Sequence, residues 1–169
     1  MQSIFNVYVR FNDILSAAAI GLGALIVGFA VLALFGGALE RYFLGMGYAW
    51  INDLPPMLMP WAVFPILGVL IRSGGHIKVE LLPALVKGRK QSYVQLCVYA
   101  ICLVSALVFC WGGWEAVSFF RQLGEVTESE IEFPIWYMYV SFPFGFALLA
   151  NFSFEALIRE YQLLVSAER

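Results

Sequence analysis

The sequence predicts an all-α integral membrane protein with four membrane-spanning helices. Hydrophobic residues make up 62% of the chain and charged residues 13%, whereas soluble proteins are typically about 45–50% apolar and about 25% charged. Four stretches contain no charged residue, namely residues 14–39, 54–71, 91–114 and 133–154. Each stretch is close to the roughly 20 residues of α-helix that cross a bilayer core.

A single membrane domain covering residues 1–169 accounts for this composition. A soluble domain of the same size has too little interior to bury so much apolar surface, so lipid must cover the bundle. The first stretch is longer than the apolar core of a cleaved signal peptide, and it is therefore predicted to be a retained anchor. No basic patch indicates a nucleic-acid partner.

Basic residues predict the orientation of the helices. The loop between the second and third spans and the two terminal tails contain most of them: Arg10, Arg72, Lys78, Lys87, Arg89, Lys90, Arg159 and Arg169. The opposite side has Arg41 and Arg121. Because cytoplasmic loops carry an excess of Lys and Arg, both termini are predicted to be cytoplasmic.

The first span is predicted to follow a short interfacial N-terminal helix, since Ile4, Phe5, Tyr8 and Phe11 repeat at helical spacing. Within the span, small residues recur four apart, as in the pairs Ala17/Gly21, Ala19/Gly23, Ala24/Gly28 and Ala33/Gly37. This spacing lets helix backbones approach closely. Gly21, Gly28 and Gly37 are therefore candidates for docking another helix, either from a partner protein or from this chain.

The second span is the shortest and contains four prolines. Pro55 and Pro56 are predicted in its opening turn, where a missing N–H is tolerated. Pro60 and Pro65 each remove an internal hydrogen bond and are expected to bend the helix. A kinked span is favoured over a re-entrant segment.

The third and fourth spans offer no catalytic or metal-binding pattern. Cys97, Cys102 and Cys110 lack the close spacing of a redox or metal pair, and His76 is the single histidine. After the fourth span, Glu155 and Arg159 are four apart and are predicted to pair on a helix surface. No Asp, Glu, Lys, Arg or His lies within any span, which argues against a self-sufficient proton-coupled carrier. We therefore predict no catalytic site, no metal site and no cofactor in this chain.

Three segments carry a family resemblance. The first is Arg41-Tyr42 followed by Trp50-Ile51-Asn52-Asp53-Leu54; the second is Arg72-Ser73-Gly74-Gly75-His76-Ile77-Lys78-Val79-Glu80; the third is Pro134-Ile135-Trp136-Tyr137 leading to Pro143. Together, in this order, they resemble the small (Q-type) membrane subunit of tripartite ATP-independent periplasmic (TRAP) transporters. Length and helix count fit this family over essentially the whole chain.

The resemblance implies a sodium-driven, binding-protein-dependent importer of organic acids in the bacterial inner membrane. It implies two protein partners, a large multispan membrane subunit that carries the substrate and sodium sites and moves as an elevator, and a periplasmic solute-binding protein. This chain would then be a non-catalytic scaffold with no substrate-binding residue of its own, in contact with membrane lipids. The alternatives are an independent small carrier, a membrane assembly factor and, least favoured, a four-helix membrane enzyme.

The motif residues have the following hypothetical roles. Arg72 and His76 lie where cations meet lipid phosphates or carboxylates of a partner. Glu80 is a candidate partner of Lys78 or of another basic residue in the same loop. Asp53 is predicted to be the N-cap of the second span. Trp50 and Trp136 are expected to hold the outer helix ends at the membrane interface, and Pro134 and Pro143 complete the motif of the fourth span.

Overall fold

A computed structural model of the protein describes residues 2–73, 89–128 and 132–166. The described residues form four α-helices: α1 (Gln2–Leu44), α2 (Ala49–Arg72), α3 (Arg89–Leu123) and α4 (Trp136–Ser166). Each helix is long and apolar enough to cross a membrane. The predicted all-α class with four spans is confirmed.

The helices alternate in direction. α4 packs against both α2 and α3, and α1 packs mainly against α2. Ala19 of α1, Val69 of α2 and Phe152 of α4 share one buried apolar cluster. At one end of the bundle α1 and α3 begin and α2 and α4 end; we call it the inner end. It is the end that the sequence predicts to face the cytoplasm. α3 is the least covered helix, since 6% of its most apolar segment is buried in the protein, against 39% for α4.

α1 differs from the prediction at its N-terminus. The segment predicted as a separate interfacial helix is helical, but it continues without a break into the first span, giving one helix of 43 residues. Such a helix is about 65 Å long, roughly twice the thickness of the bilayer core. The physical reason is that no Gly or Pro interrupts the sequence between Gln2 and Ile20.

α2 begins before its predicted first residue. Its N-cap is Tyr48, which has an extended backbone and no capping side-chain hydrogen bond, so the assignment of Asp53 as the N-cap is wrong. Asp53 lies inside the helix, because the helix starts early enough for Ile51 to pack against Gly37 of α1. All four prolines lie within the same 24-residue helix. The second span is thus a full helix and not re-entrant. This is expected in a membrane, because lipid offers no hydrogen bonds and a helix satisfies its own backbone N–H and C=O groups.

α4 begins at Trp136, three residues after the predicted start of the fourth span. Before it, Pro134 forms an isolated antiparallel bridge with Val126, and its carbonyl accepts a hydrogen bond from the Tyr137 N–H at 3.1 Å. Pro143 is buried within the helix. The two motif prolines therefore have different positions, one leading into α4 and the other in its packed interior.

The backbones of α2 and α4 approach each other closely at two glycines. A Cβ atom added at Gly145 of α4 would lie 2.5 Å from the backbone oxygen of Phe64. A Cβ atom added at Gly68 of α2 would lie 3.0 Å from the backbone nitrogen of Leu149. Only glycine permits the two backbones to approach so closely, and this contact fixes α2 against α4.

Replacing Gly145 with alanine is expected to lower the free energy of unfolding by about 1–3 kcal/mol, because the added methyl group forces α2 and α4 apart. The measurement is a denaturant titration of the purified protein in detergent. Gly112→Ala in α3 is the matched control, since no atom lies within 4 Å of the added Cβ there. Equal stability of the two variants would contradict the close α2–α4 contact.

Candidate functional site

Polar side chains from three helices meet at the inner end of the bundle. We call this group the inner cluster; it consists of Tyr8, Asn12, Asp13, Arg72, Asn151, Glu155 and Arg159. The residues come from positions 8–13 of α1, the last residue of α2 and positions 151–159 of α4. Each lies next to or within an apolar helical segment, where an unpaired polar group is costly.

Arg72 is the centre of the inner cluster. Its Nε donates to Glu155 Oε2 at 3.0 Å, and its Nη2 donates to Asp13 Oδ1 at 2.7 Å and to the Val9 carbonyl at 3.2 Å. The guanidinium carbon also lies 5.8 Å from the centre of the Phe152 ring. With 14% of its side chain exposed, Arg72 bonds α2 to both α1 and α4.

Glu155 is the buried counterpart of Arg72, with 1% of the residue exposed. It also accepts from Arg159 Nη2 at 2.6 Å, one helical turn further along α4. The Oε2 atom that accepts from Arg72 also accepts from Asn12 Nδ2 at 2.7 Å, and Asn12 is itself fully buried. Two guanidinium groups thus face two carboxylates, those of Glu155 and Asp13, so the cluster is neutral and the buried carboxylate is fully paired.

A chain of amides extends the inner cluster toward the start of α1. Asn151 Nδ2 donates to Asn12 Oδ1 at 2.8 Å, and the Tyr8 hydroxyl donates to Asn151 Oδ1 at 2.8 Å. Every member therefore has a partner, and connected polar networks of this kind rigidify the structure around them. The inner cluster is suited to holding α1, α2 and α4 in a fixed register.

The structure brings together only some of the residues that the sequence singled out. Arg72 contacts carboxylates of its own chain, and the Glu155–Arg159 pair is present, although Glu155 is buried rather than on a helix surface. Asn12 and Asn151 were not predicted as members of a site. The sequence did offer one signal for this site. Asn151 is an amide inside the uncharged run 133–154, and a polar group in such a place needs a hydrogen-bond partner. His76, Glu80 and Lys78 lie outside the described residues.

Aromatic residues cluster at the opposite, outer end. Trp136 stacks on Tyr137 with ring centres 3.8 Å apart, and the Arg121 guanidinium lies 5.6 Å from the centre of the Trp136 ring. Trp50 is 40% exposed near the start of α2. Their role as anchors at the membrane interface stays a prediction.

The three candidate docking glycines of α1 face different surroundings. Gly37 is buried, and an added Cβ would lie 2.7 Å from Ile51 of α2. Gly21 and Gly28 are exposed, with no atom within 4 Å of an added Cβ. They share this exposed side of α1 with Ala17 and Ala24, and we call these four residues the small-residue face.

The cysteines lie apart from the inner cluster. All three are free thiols, and the Cys110 thiol donates to the Pro143 carbonyl at 3.5 Å, within the α3–α4 contact. Among the described residues, no group of three or more His, Cys, Asp or Glu side chains is placed to hold a metal ion.

Comparison with known proteins gives one family match. Residues 30–163 match the family described as tripartite ATP-independent periplasmic transporters, DctQ component. The match includes all of α2 and α3, nearly all of α4 and the last third of α1. No curated protein and no solved structure matches significantly.

Proposed function

Because the chain belongs to the DctQ family of tripartite ATP-independent periplasmic transporter components and is the small membrane subunit of such a transporter, we propose that it is a non-catalytic scaffold. Its role is to support a large membrane subunit that performs the transport. The family match over residues 30–163 is the observation that carries this proposal.

The packing of the bundle supports a scaffold rather than a conduit. α2 and α4 touch at backbone level at Gly68 and Gly145, which leaves no room for a solute path between them. At the inner end, the Arg72–Glu155 pair ties the same two helices together, and Asp13 connects them to α1. The uncharged interior of each span supports the same role, since proton-coupled carriers usually keep an ionisable residue at depth.

The proposal extends to the transported solute and its driving force. The family resemblance supports a sodium-driven importer of organic acids in the bacterial inner membrane, with the substrate and sodium sites in the large subunit. A periplasmic solute-binding protein delivers the solute to this pair of membrane proteins. The charge pattern supports cytoplasmic termini, so that the inner end faces the cytoplasm.

The small-residue face of α1 is the proposed contact with the large subunit. Gly21 and Gly28 present open backbone on the side of α1 that is turned away from α2. Small residues favour contact between helices, because two backbones that approach closely there gain van der Waals packing. The exposed side of α3 is different, with large apolar side chains such as Ile101 and Val104 that suit lipid.

Co-purification in mild detergent tests the physical association that this proposal requires. The tagged chain is expressed together with the large membrane subunit of the same transporter, and the two are expected to elute as one complex. Separate elution under conditions where each protein remains folded would refute the scaffold role. Solute transport by the purified chain alone would instead identify it as an independent carrier.

A further inference from the structure

A cavity of about 210 Å³ lies beside the inner cluster, where the ends of α2 and α4 meet the first half of α3. Arg72 and Glu155 form part of its wall, together with Phe152. Since Arg72 and Glu155 are bound to each other, their charges already have partners within the protein. The remaining polar groups of the wall are the ones available to a ligand.

Three polar side chains in this cavity have unused bonding capacity. Arg159 is half exposed, and only its Nη2 is engaged, by Glu155. The Tyr99 hydroxyl and the Glu160 carboxylate line the same cavity, and neither has a hydrogen-bond partner among the residues that the structure describes. The cavity therefore presents a cation, a phenol donor and a carboxylate side by side.

The position of the cavity indicates what class of ligand reaches it. Glu155 and Arg159 follow directly on the uncharged run of α4, so the cavity lies at the level where lipid headgroups meet the apolar layer. On α4, Leu163 lines the cavity and is 62% exposed. It provides an apolar surface at the cavity along which an acyl chain can lie.

We infer that this cavity binds the headgroup of a phosphatidylethanolamine molecule. The phosphate lies against Arg159 and Tyr99, whose N–H and O–H groups donate to it, and the ammonium group donates to Glu160. A choline headgroup lacks the N–H donors that Glu160 requires. A headgroup with net negative charge is disfavoured because it has no ammonium group to donate to Glu160, whose carboxylate lines the cavity.

The test measures lipid binding to the purified full-length chain in detergent, with phosphatidylethanolamine, phosphatidylcholine, phosphatidylglycerol and free phosphoethanolamine as probes. Phosphatidylethanolamine is expected to bind most tightly. Tyr99→Phe is expected to weaken that binding about tenfold, because a hydrogen bond to a charged group is lost. Tyr93→Phe is the matched control, since Tyr93 is an exposed tyrosine of the same helix that does not line the cavity. Glu160→Gln is expected to abolish the preference for phosphatidylethanolamine over phosphatidylglycerol.

Several results would overturn the inference. Equal binding of phosphatidylglycerol by the unaltered protein, or unchanged binding by Tyr99→Phe, would show that the cavity does not select this headgroup. Equal affinity for free phosphoethanolamine would assign the cavity to a soluble ligand. If Tyr99→Phe and Glu160→Gln instead released the large subunit and left lipid binding unchanged, the cavity would be a protein contact. The lipid measurement needs no large subunit, so its outcome is independent of the proposed scaffold role.

Discussion

Replacing Arg72 with methionine is expected to lower the free energy of unfolding by about 3 kcal/mol, because it removes the principal partner of a buried carboxylate. Glu155 is 1% exposed and bonds directly to the Arg72 Nε. The expected loss is at the lower end for a broken buried pair, since Arg159 still contacts Glu155. The measurement is a denaturant titration in detergent, with helix content followed by circular dichroism.

Two further variants separate the buried pair from a general effect of charge. Arg159→Gln removes the other guanidinium from the same carboxylate, but Arg159 is 48% exposed, so the expected loss is at most about 1 kcal/mol. The double variant Arg72→Met with Glu155→Met is expected to recover most of the stability lost by Arg72→Met, because no uncompensated buried charge remains. If the double variant lost as much stability as Arg72→Met and Glu155→Met lose together when each is made alone, the two residues would not be coupled.

Replacing both Gly21 and Gly28 with leucine is expected to weaken the complex with the large membrane subunit at least about tenfold, or about 1.4 kcal/mol. The two side chains would stand on the small-residue face and hold the facing helix away from the α1 backbone. The chain itself is expected to stay as stable as the unaltered protein, since no atom lies within 4 Å of a Cβ added at either position. Co-elution from a size-exclusion column at decreasing protein concentration measures the effect.

Gly36→Leu is the matched control for this prediction. Gly36 lies on the same helix with equally open surroundings, but roughly a quarter turn away from the small-residue face. It is expected to leave the complex unchanged. If Gly36→Leu weakened the complex as much as the double variant, the contact would not be specific to the small-residue face. An intact complex with the double variant would place the large subunit on another surface.

The four spans could be predicted from the sequence because the signal is local. Each uncharged run is long enough to cross the bilayer, and every charged side chain lies outside the runs. The helix ends were less accessible to this reasoning. α2 begins at Ala49 rather than near Asp53, and its first turn places Ile51 against Gly37 of α1. Such a contact joins two different helices, so the hydrophobicity pattern of one segment does not predict it.

The inner cluster could not be predicted for a similar reason. Asn12 and Glu155 bond to each other but are 143 positions apart in the sequence. Arg72 was singled out through its family motif, yet nothing in that motif indicates that Asp13 and Glu155 are its partners. Small-residue spacing marked Gly37 of α1, which packs against α2, but the backbone-level contact of Gly145 in α4 with Phe64 of α2 was not predicted. Pairing between distant helices depends on the whole fold.

The most direct test of the scaffold role is solute uptake by reconstituted vesicles. Vesicles that contain the large subunit, this chain and the solute-binding protein are expected to take up an organic acid along a sodium gradient. Vesicles without this chain are expected to show no uptake, and vesicles with this chain as the single membrane protein are also expected to show none. Full uptake without the chain, or uptake by the chain alone, would contradict its role as a required, non-transporting subunit.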